Sequence, residues 1–312
     1  MRVLLSAENF YPRVGGAEVI IDELMTELQA RGDDVSVVYV GDRKPDSTLQ
    51  LFPQSRASVF KNLPLFNRSV VRLYYANFIW RRLLTKKIKE LKPDLIFTQL
   101  EHTPATVEVA RKFNIPCIVY IHNYDQLCPM LFKETTPEDC DRRCFKCSSL
   151  PYKVQHPVSM KYIRWQEWAL RKASLVISNS QYMSGLINRF YGIKSEVFYP
   201  VLHLKDFIVD KCDPEYITFI NPIKTKGAEI VLKIVEKMPH HKFLVVGGKD
   251  KYFSAEFKKM PNVKYFPWVD DMREVYSKTR ILIVPSIWTE PFGRVIPEAQ
   301  INGIPCITSS KG

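Results

Sequence analysis

Short apolar runs recur along the chain, and most are continuous instead of alternating with polar residues. Runs of this kind mark strands covered on both faces. They predict strands at Val3–Ala7, Val35–Val40, Asp94–Thr98, Cys117–His122, Leu175–Ser178 and Val197–Tyr199. Further strands are predicted at Tyr216–Ile220, Lys242–Val246, Val263–Phe266, Ile281–Pro285 and Cys306–Thr308. Segments of helical period separate them, among them Ala17–Ala30, which runs into Arg31-Gly32 as a C-cap would. Strand–helix–strand order repeated this way predicts an α/β fold of two doubly wound parallel sheets. Residues 41–68 and 123–157 interrupt the order as long connections.

The break between the repeats is expected near 200–215. Tyr199-Pro200 closes one strand, Leu202–Pro214 lacks a period, and alternation resumes at Tyr216. The expected domains are therefore 1–205 and 206–312. Ligands of open parallel sheets sit at the carboxyl ends of the strands. Two such domains facing each other would hold a ligand in the cleft between them.

A length of 312 residues suits two domains, and 46% hydrophobic residues can fill their cores. No run of apolar residues is long enough to span a membrane. The N-terminal stretch acquires Glu8 almost at once and reads as a first strand, not an export signal. A cytoplasmic protein is the expectation. Net charge is +12, and about two thirds of it falls in residues 1–200. That balance suits an anionic partner, or simply a solvated basic surface. Arg68–Lys92 combines apolar residues at helical spacing with Arg72, Arg81, Arg82, Lys86, Lys87 and Lys89. Such a helix can lie peripherally on an anionic membrane surface, or its stripe can be ordinary core. No nucleic-acid module accompanies the charge, so nucleic acid is not an expected partner.

Of seven cysteines, Cys117, Cys212 and Cys306 stand singly in or near apolar segments, as small buried hydrophobes do. Cys128, Cys140, Cys144 and Cys147 cluster as Cys-x11-Cys-x3-Cys-x2-Cys. Four soft ligands can hold a structural zinc ion tetrahedrally. Disulfides and free thiols fit the same spacing. The last three also have the spacing of radical-type iron–sulfur enzymes, but the chain lacks their barrel pattern.

The densest chemistry lies in Thr289-Glu290-Pro291-Phe292-Gly293-Arg294-Val295-Ile296-Pro297-Glu298-Ala299. Glu290 is expected in a strand-to-helix turn and Glu298 in the first turns of the helix. A carboxylate accepts through two oxygens and suits adjacent sugar hydroxyls. Gly293 lets the backbone approach a ligand, and the helix-start amides can face an anion. On spacing alone, one carboxylate favouring the helix dipole and one on the surface reads equally well. Asn221-Pro222-Ile223-Lys224-Thr225-Lys226-Gly227 follows another strand, and Lys226 ahead of a helix can neutralise a diphosphate or be a solvated loop lysine. Gly15 and Gly16, after the first strand, can admit a phosphate or merely form a tight turn. His122 ends an apolar strand, a position where a hydrogen-bonded structural histidine is also common.

The stretch from Thr289 to Ala299 resembles the Glu-x7-Glu motif of retaining GT-B glycosyltransferases, in particular glycosyltransferase family 4 (glycosyl transferases group 1). The similarity extends over Val269–Ile287 and Gly303–Thr308, and more loosely over the whole chain. The resemblance implies a GT-B fold of two Rossmann-like domains, the first on the acceptor side and the second binding the donor. It implies that Glu290 contacts donor-sugar hydroxyls, that Glu298 contacts the nucleotide ribose, and that the amides of Phe292 and Gly293 lie near the donor sugar and phosphate. Lys226 would clamp the donor diphosphate, with Arg294 a weaker candidate. Asn221 departs from the pattern, since arginine is usual there; Lys224 is a possible substitute. Gly15 and Gly16 would lie near the donor phosphate and the acceptor. His122 would lie by the reacting sugar carbon, followed by Asn123 where aspartate is usual.

The implied chemistry is transfer, with retained configuration, of a hexosyl type of sugar from a nucleotide-sugar donor to a glycan or lipid-linked acceptor, as in polysaccharide biosynthesis. The leaving phosphate would help to deprotonate the acceptor. No cofactor is required for catalysis on this reading. Some family members carry a similar cysteine-rich insertion. The family continues for several more elements, so the second domain is expected to be incomplete at Gly312. A non-catalytic nucleotide-sugar-binding or scaffold protein on the same fold is the alternative, and Asn221 favours it.

Overall fold

The computed structural model describes residues 1–7, 16–40, 49–52, 70–128, 132, 136–140, 142, 156–202, 204–210, 213–248, 250–269 and 271–310. The chain divides into two compact units, Met1–Pro200 and Val201–Gly312.

The first unit is built on a parallel sheet. Its strands are β1 (Arg2–Ser6), β2 (Asp34–Val40), β3 (Leu49–Phe52), β4 (Leu95–Gln99), β5 (Cys117–Ile121), β6 (Leu175–Ser178) and β7 (Glu196–Val197). They run in the order β3-β2-β1-β4-β5-β6-β7, and every pair is parallel. The connecting helices are α1 (Gly16–Ala30), α2 (Val70–Leu91), α3 (Thr103–Lys112), α4 (His156–Lys172) and α5 (Gln181–Tyr191). β1 reads RVLLS and buries all but its first residue, because helices cover both faces of such a sheet. Its Val3 and Leu5 pack with Ile20 and Ile21 of α1 and with Val35, Val37 and Tyr39 of β2. α1 ends where Gly32 turns left-handed at φ +85°. β3 lies inside the segment read as a polar connection. Four residues, Leu-Gln-Leu-Phe, are too few to show a period, and an edge strand is defined mainly by its ladder to β2.

α2 is the basic amphipathic helix. Its Trp80, Leu84 and Ile88 are at most 2% exposed, so its apolar stripe is core. The opposite face carries Phe78, Arg82, Lys86 and Lys89, all exposed. Among the described residues no helix is long and apolar enough to cross a membrane. Cys117 is buried, and burial pushes its thiol up to about 12.

The second unit has β8 (Tyr216–Ile220), β9 (Phe243–Val246), β10 (Val263–Phe266), β11 (Thr279–Val284) and β12 (Cys306–Thr308), in the order β10-β9-β8-β11-β12. All pairs are again parallel. Its helices are α6 (Ala228–Lys237), α7 (Lys251–Lys259), α8 (Arg273–Tyr276) and α9 (Val295–Gln300). Phe219, Phe243, Val245, Val231, Val235 and Phe257 form the core on one face. Tyr276, Leu282, Val284, Ala299 and Ile304 form a cluster with α8 and α9. Each fully buried side chain of this size stabilises the fold by about 1.5–3 kcal/mol.

In each sheet the chain winds outward to one edge and then returns to the other side of its first strand. The order reverses between β1 and β4 in the first unit, and between β8 and β11 in the second. Loops after strands flanking such a reversal diverge and leave a crevice at the carboxyl ends.

Candidate functional site

The loops after β8 and β11 close on each other at the reversal point of the second sheet. Thr225 offers its carbonyl oxygen to both the Ile287 and the Trp288 amides, at 3.1 and 3.2 Å. Gly227 touches the backbone of Pro285 so closely that a side chain could not be accommodated. Between these clasps Lys226 Nζ donates to Glu290 Oε1 at 2.5 Å. Ser286 Oγ donates to the same oxygen at 2.8 Å. The lysine nitrogen also lies 5.9 Å from the centre of the Trp288 ring, within reach of a cation–π attraction. The pair is mostly shielded, with side-chain exposure of 27% for Lys226 and 11% for Glu290. Ser309 Oγ donates to the Ser286 carbonyl at 2.7 Å, tying the exit of β12 to the same turn.

Asn221, where the resemblance leads one to expect arginine, has φ +61°. Asparagine tolerates this left-handed conformation better than most residues. The Ile223 amide bonds back to the Asn221 carbonyl at 2.8 Å, a tight turn about Pro222 that redirects the chain toward Lys226. Lys224 stands apart from the pair, 3.6 Å from Glu229 and largely exposed.

Downstream of Glu290, Gly293 turns left-handed at φ +74° and leads into α9. Phe292 is half-buried in this turn. Glu298 lies in α9 and is buried, 6% exposed. Its Oε2 accepts from the Tyr276 hydroxyl at 2.8 Å, and Arg294 Nε lies 3.4 Å from its Oε1. Burial pushes the Glu298 carboxyl above the ordinary range, while Tyr276 and Arg294 pull it back. Burial, and then Glu298 itself, drives the Tyr276 phenol far upward, so it stays a donor at any physiological pH. Arg294 Nη1 is buried and has no hydrogen-bond partner among the described residues.

In the first unit His122 follows β5 at its carboxyl end, and its carbonyl accepts from Asn179 Nδ2 at 2.8 Å. Asn123 Oδ1 accepts from the Asp125 amide at 2.8 Å, a local turn in which an amide side chain serves as well as a carboxylate. Gly16 opens α1, whose neighbouring Ala17 carbonyl accepts from Gln99 Nε2 at 2.9 Å. This bond anchors the start of α1 to the end of β4. Gly15 lies outside the described residues. Cys128 is buried and Cys140 half-buried, both as free thiols; Cys144 and Cys147 lie outside the described residues.

The structure therefore brings Lys226 and Glu290 together, and sets Arg294 and Glu298 together one turn further on. Sequence reasoning missed Tyr276, Ser286 and Thr225. A tyrosine just ahead of an apolar strand looks like any core aromatic, and the backbone role of Thr225 leaves no trace in residue type.

A family model described as Glycosyltransferase Family 4 matches residues 14–204, and one described as Glycosyl transferases group 1 matches residues 214–312. Among curated proteins, an uncharacterized 42.6 kDa protein in the cps region of Klebsiella pneumoniae is 26% identical over 345 residues, covering 100% of this chain and 86% of that protein. Among solved structures, sucrose-phosphate synthase from Thermosynechococcus elongatus superposes with a TM-score of 0.69 at 17% identity, covering 100% of this chain and 82% of its own. HepE of Anabaena in complex with UDP-glucose superposes with a TM-score of 0.66 at 16% identity, covering 100% and 81% respectively. The shared architecture is the GT-B fold.

Proposed function

Because the chain belongs to glycosyltransferase family 4, we propose that it moves a sugar from a nucleotide-sugar donor to a glycan or lipid-linked acceptor, with retained anomeric configuration. The observation that carries this reading is the Lys226–Glu290 pair at the reversal point of the second sheet. Breaking the bond between an anomeric carbon and a diphosphate leaves negative charge on the phosphate and positive charge on the sugar. Lys226, Arg294 and the amides of Phe292 and Gly293 are our candidates for stabilising the leaving diphosphate. Groups held rigid before the reaction do this best, and the clasp between the two loops supplies that rigidity. Glu290 serves the sugar. Its hydrogen bonds from Lys226 and Ser286 both fall on Oε1, which leaves Oε2 to accept from a donor-sugar hydroxyl. Glu298 receives the ribose. HepE binds UDP-glucose, which supports the donor class.

We assign acceptor recognition to the first unit, with His122 as our candidate beside the reacting sugar carbon and Gly15 and Gly16 as candidate contacts of the donor phosphate and the acceptor. A lipid-linked acceptor is supported by the exposed basic face of α2, where Arg82, Lys86 and Lys89 flank Phe78. Such a face attracts anionic headgroups.

A thermal-shift panel of UDP-, GDP- and ADP-sugars tests the proposal, since a ligand bound to the folded state raises its melting temperature. One donor class is expected to stabilise the protein, and NMR of the product made from that donor is expected to show the anomeric configuration of the donor. No shift with any member of the panel, or an inverted product, would overturn the corresponding half of the proposal.

A further inference from the structure

We infer that Tyr276 is a positioning residue for donor binding: its buried hydroxyl fixes the Glu298 carboxylate as the acceptor of the nucleotide ribose. The inference rests on the assignment of Glu298 to the ribose proposed above.

The geometry is specific. Tyr276 ends α8, ahead of β11, and is 1% exposed. Its hydroxyl points to Glu298 Oε2 at 2.8 Å. The carboxylate sits on α9, twenty-two positions later in the chain. The bond therefore joins two helices that pack beside the strand leading into the donor turn. Arg294 Nε, at 3.4 Å, is a longer and weaker contact on the other oxygen. A carboxylate offers about four acceptor positions. With one taken by Tyr276 and one shared with Arg294, the remainder suits a pair of neighbouring hydroxyls. Losing the tyrosine donor would leave the carboxylate held mainly through the longer contact, free to rotate and more costly to keep ionised. The charged and titratable groups facing this cluster are Arg294 from the turn, Tyr276 from α8 and Cys306 from β12, next to Tyr276. Burial raises the Glu298 carboxyl, and the hydrogen bond from Tyr276 and the charge of Arg294 oppose that rise.

The test compares wild type, Tyr276→Phe and Glu298→Gln by titration with UDP, GDP and ADP and with their 2′,3′-dideoxy analogues, over a range of pH. Phenylalanine keeps the ring in its seat and removes only the oxygen; its fold is checked by thermal melting. For the nucleotide that wild type binds most tightly, Tyr276→Phe is expected to raise Kd about tenfold, the size of a hydrogen bond to a charged group. The dideoxy analogue, which lacks the hydroxyls, is expected to bind both proteins equally. The acidic limb of binding is expected to move to higher pH in the variant, because the carboxyl has lost an interaction that favours its charged form. Equal weakening of the nucleotide and its analogue, or no weakening at all, would overturn the inference while leaving the ribose assignment intact if Glu298→Gln still weakens the nucleotide selectively. If Glu298→Gln leaves nucleotide affinity unchanged, or wild type binds none of the three, the ribose assignment fails and the inference falls with it.

Discussion

A β-carbon on Gly227 would lie 2.1 Å from the carbonyl oxygen of Pro285. Only glycine permits this approach, and Gly227 also sits at φ +86°, a left-handed conformation. The contact draws the ends of β8 and β11 together, and Lys226, one residue earlier, meets Glu290 as a consequence.

Gly227→Ala is therefore expected to push the two loops apart. Left-handed strain of about 1–2 kcal/mol adds to an overpacking cost of about 1–3 kcal/mol. Denaturant unfolding should show a loss in that combined range, accompanied by loss of the nucleotide-sugar thermal shift. A loss well under 1 kcal/mol would mean that the loops are not clasped as described.

Lys226→Met and Glu290→Gln should separate function from folding. The pair is mostly shielded, so leaving one partner unpaired is expected to cost about 1–3 kcal/mol, which a domain stable by about 5–15 kcal/mol survives. Loss of preorganised charge in a transfer site costs about 100-fold to 1,000-fold in rate, and steady-state kcat/KM should fall by that much in each variant. Rates within threefold of wild type would remove both residues from the reaction.

Trp80→Phe tests the centre of the first unit. The indole nitrogen donates to Ser6 Oγ and Thr106 Oγ1 at 3.2 and 3.1 Å, and the ring stacks on His102 at 4.4 Å. Losing the donor inside a buried cluster is expected to cost about 1–3 kcal/mol. The denaturation midpoint should drop with an unchanged slope; an unmoved midpoint would argue against the bonds.

Glu298 links stability to pH. Its carboxyl titrates above the ordinary value of 4.5 in the folded state, so the folded protein binds this proton more tightly than the unfolded chain. Its contribution is favourable below the unfolded value and is lost as pH rises through the higher folded value. Glu298→Gln removes the effect. The stability of wild type relative to the variant should decline as pH rises from about 4.5 and then level off. A difference that runs the other way would mean that the carboxyl is not held in a desolvated seat.

Charge reversal of Arg82, Lys86 and Lys89 to glutamate tests the proposed membrane face. Each basic residue near an anionic surface contributes about 1 kcal/mol, so co-sedimentation with phosphatidylserine-containing vesicles should fall steeply, while helical content is kept because the core stripe is untouched. Equal sedimentation of both proteins would argue against that face.

The sequence alone determined the order of elements and most of their positions. Continuous apolar runs separated by helical periods admit few folds besides twin parallel sheets, and β1, β5, β8 and β9 register as runs because both their faces are covered. Residue type and spacing marked Lys226, Glu290 and Glu298 as candidates, and the resemblance to glycosyltransferase family 4 supplied the roles expected of them. The sequence was silent on β3, whose four residues take their strand character from pairing with β2. For α2, composition left a membrane stripe and a core stripe equally open. Burial of Trp80, Leu84 and Ile88 decided for the core, since packing partners are not encoded in a helix's own period. The pairing of Lys226 with Glu290, sixty-four positions apart, and of Tyr276 with Glu298, was decided by tertiary structure. Strand order at the sheet reversal and the glycine contact at Pro285 set which distant side chains meet, and a one-dimensional pattern holds no record of that distance.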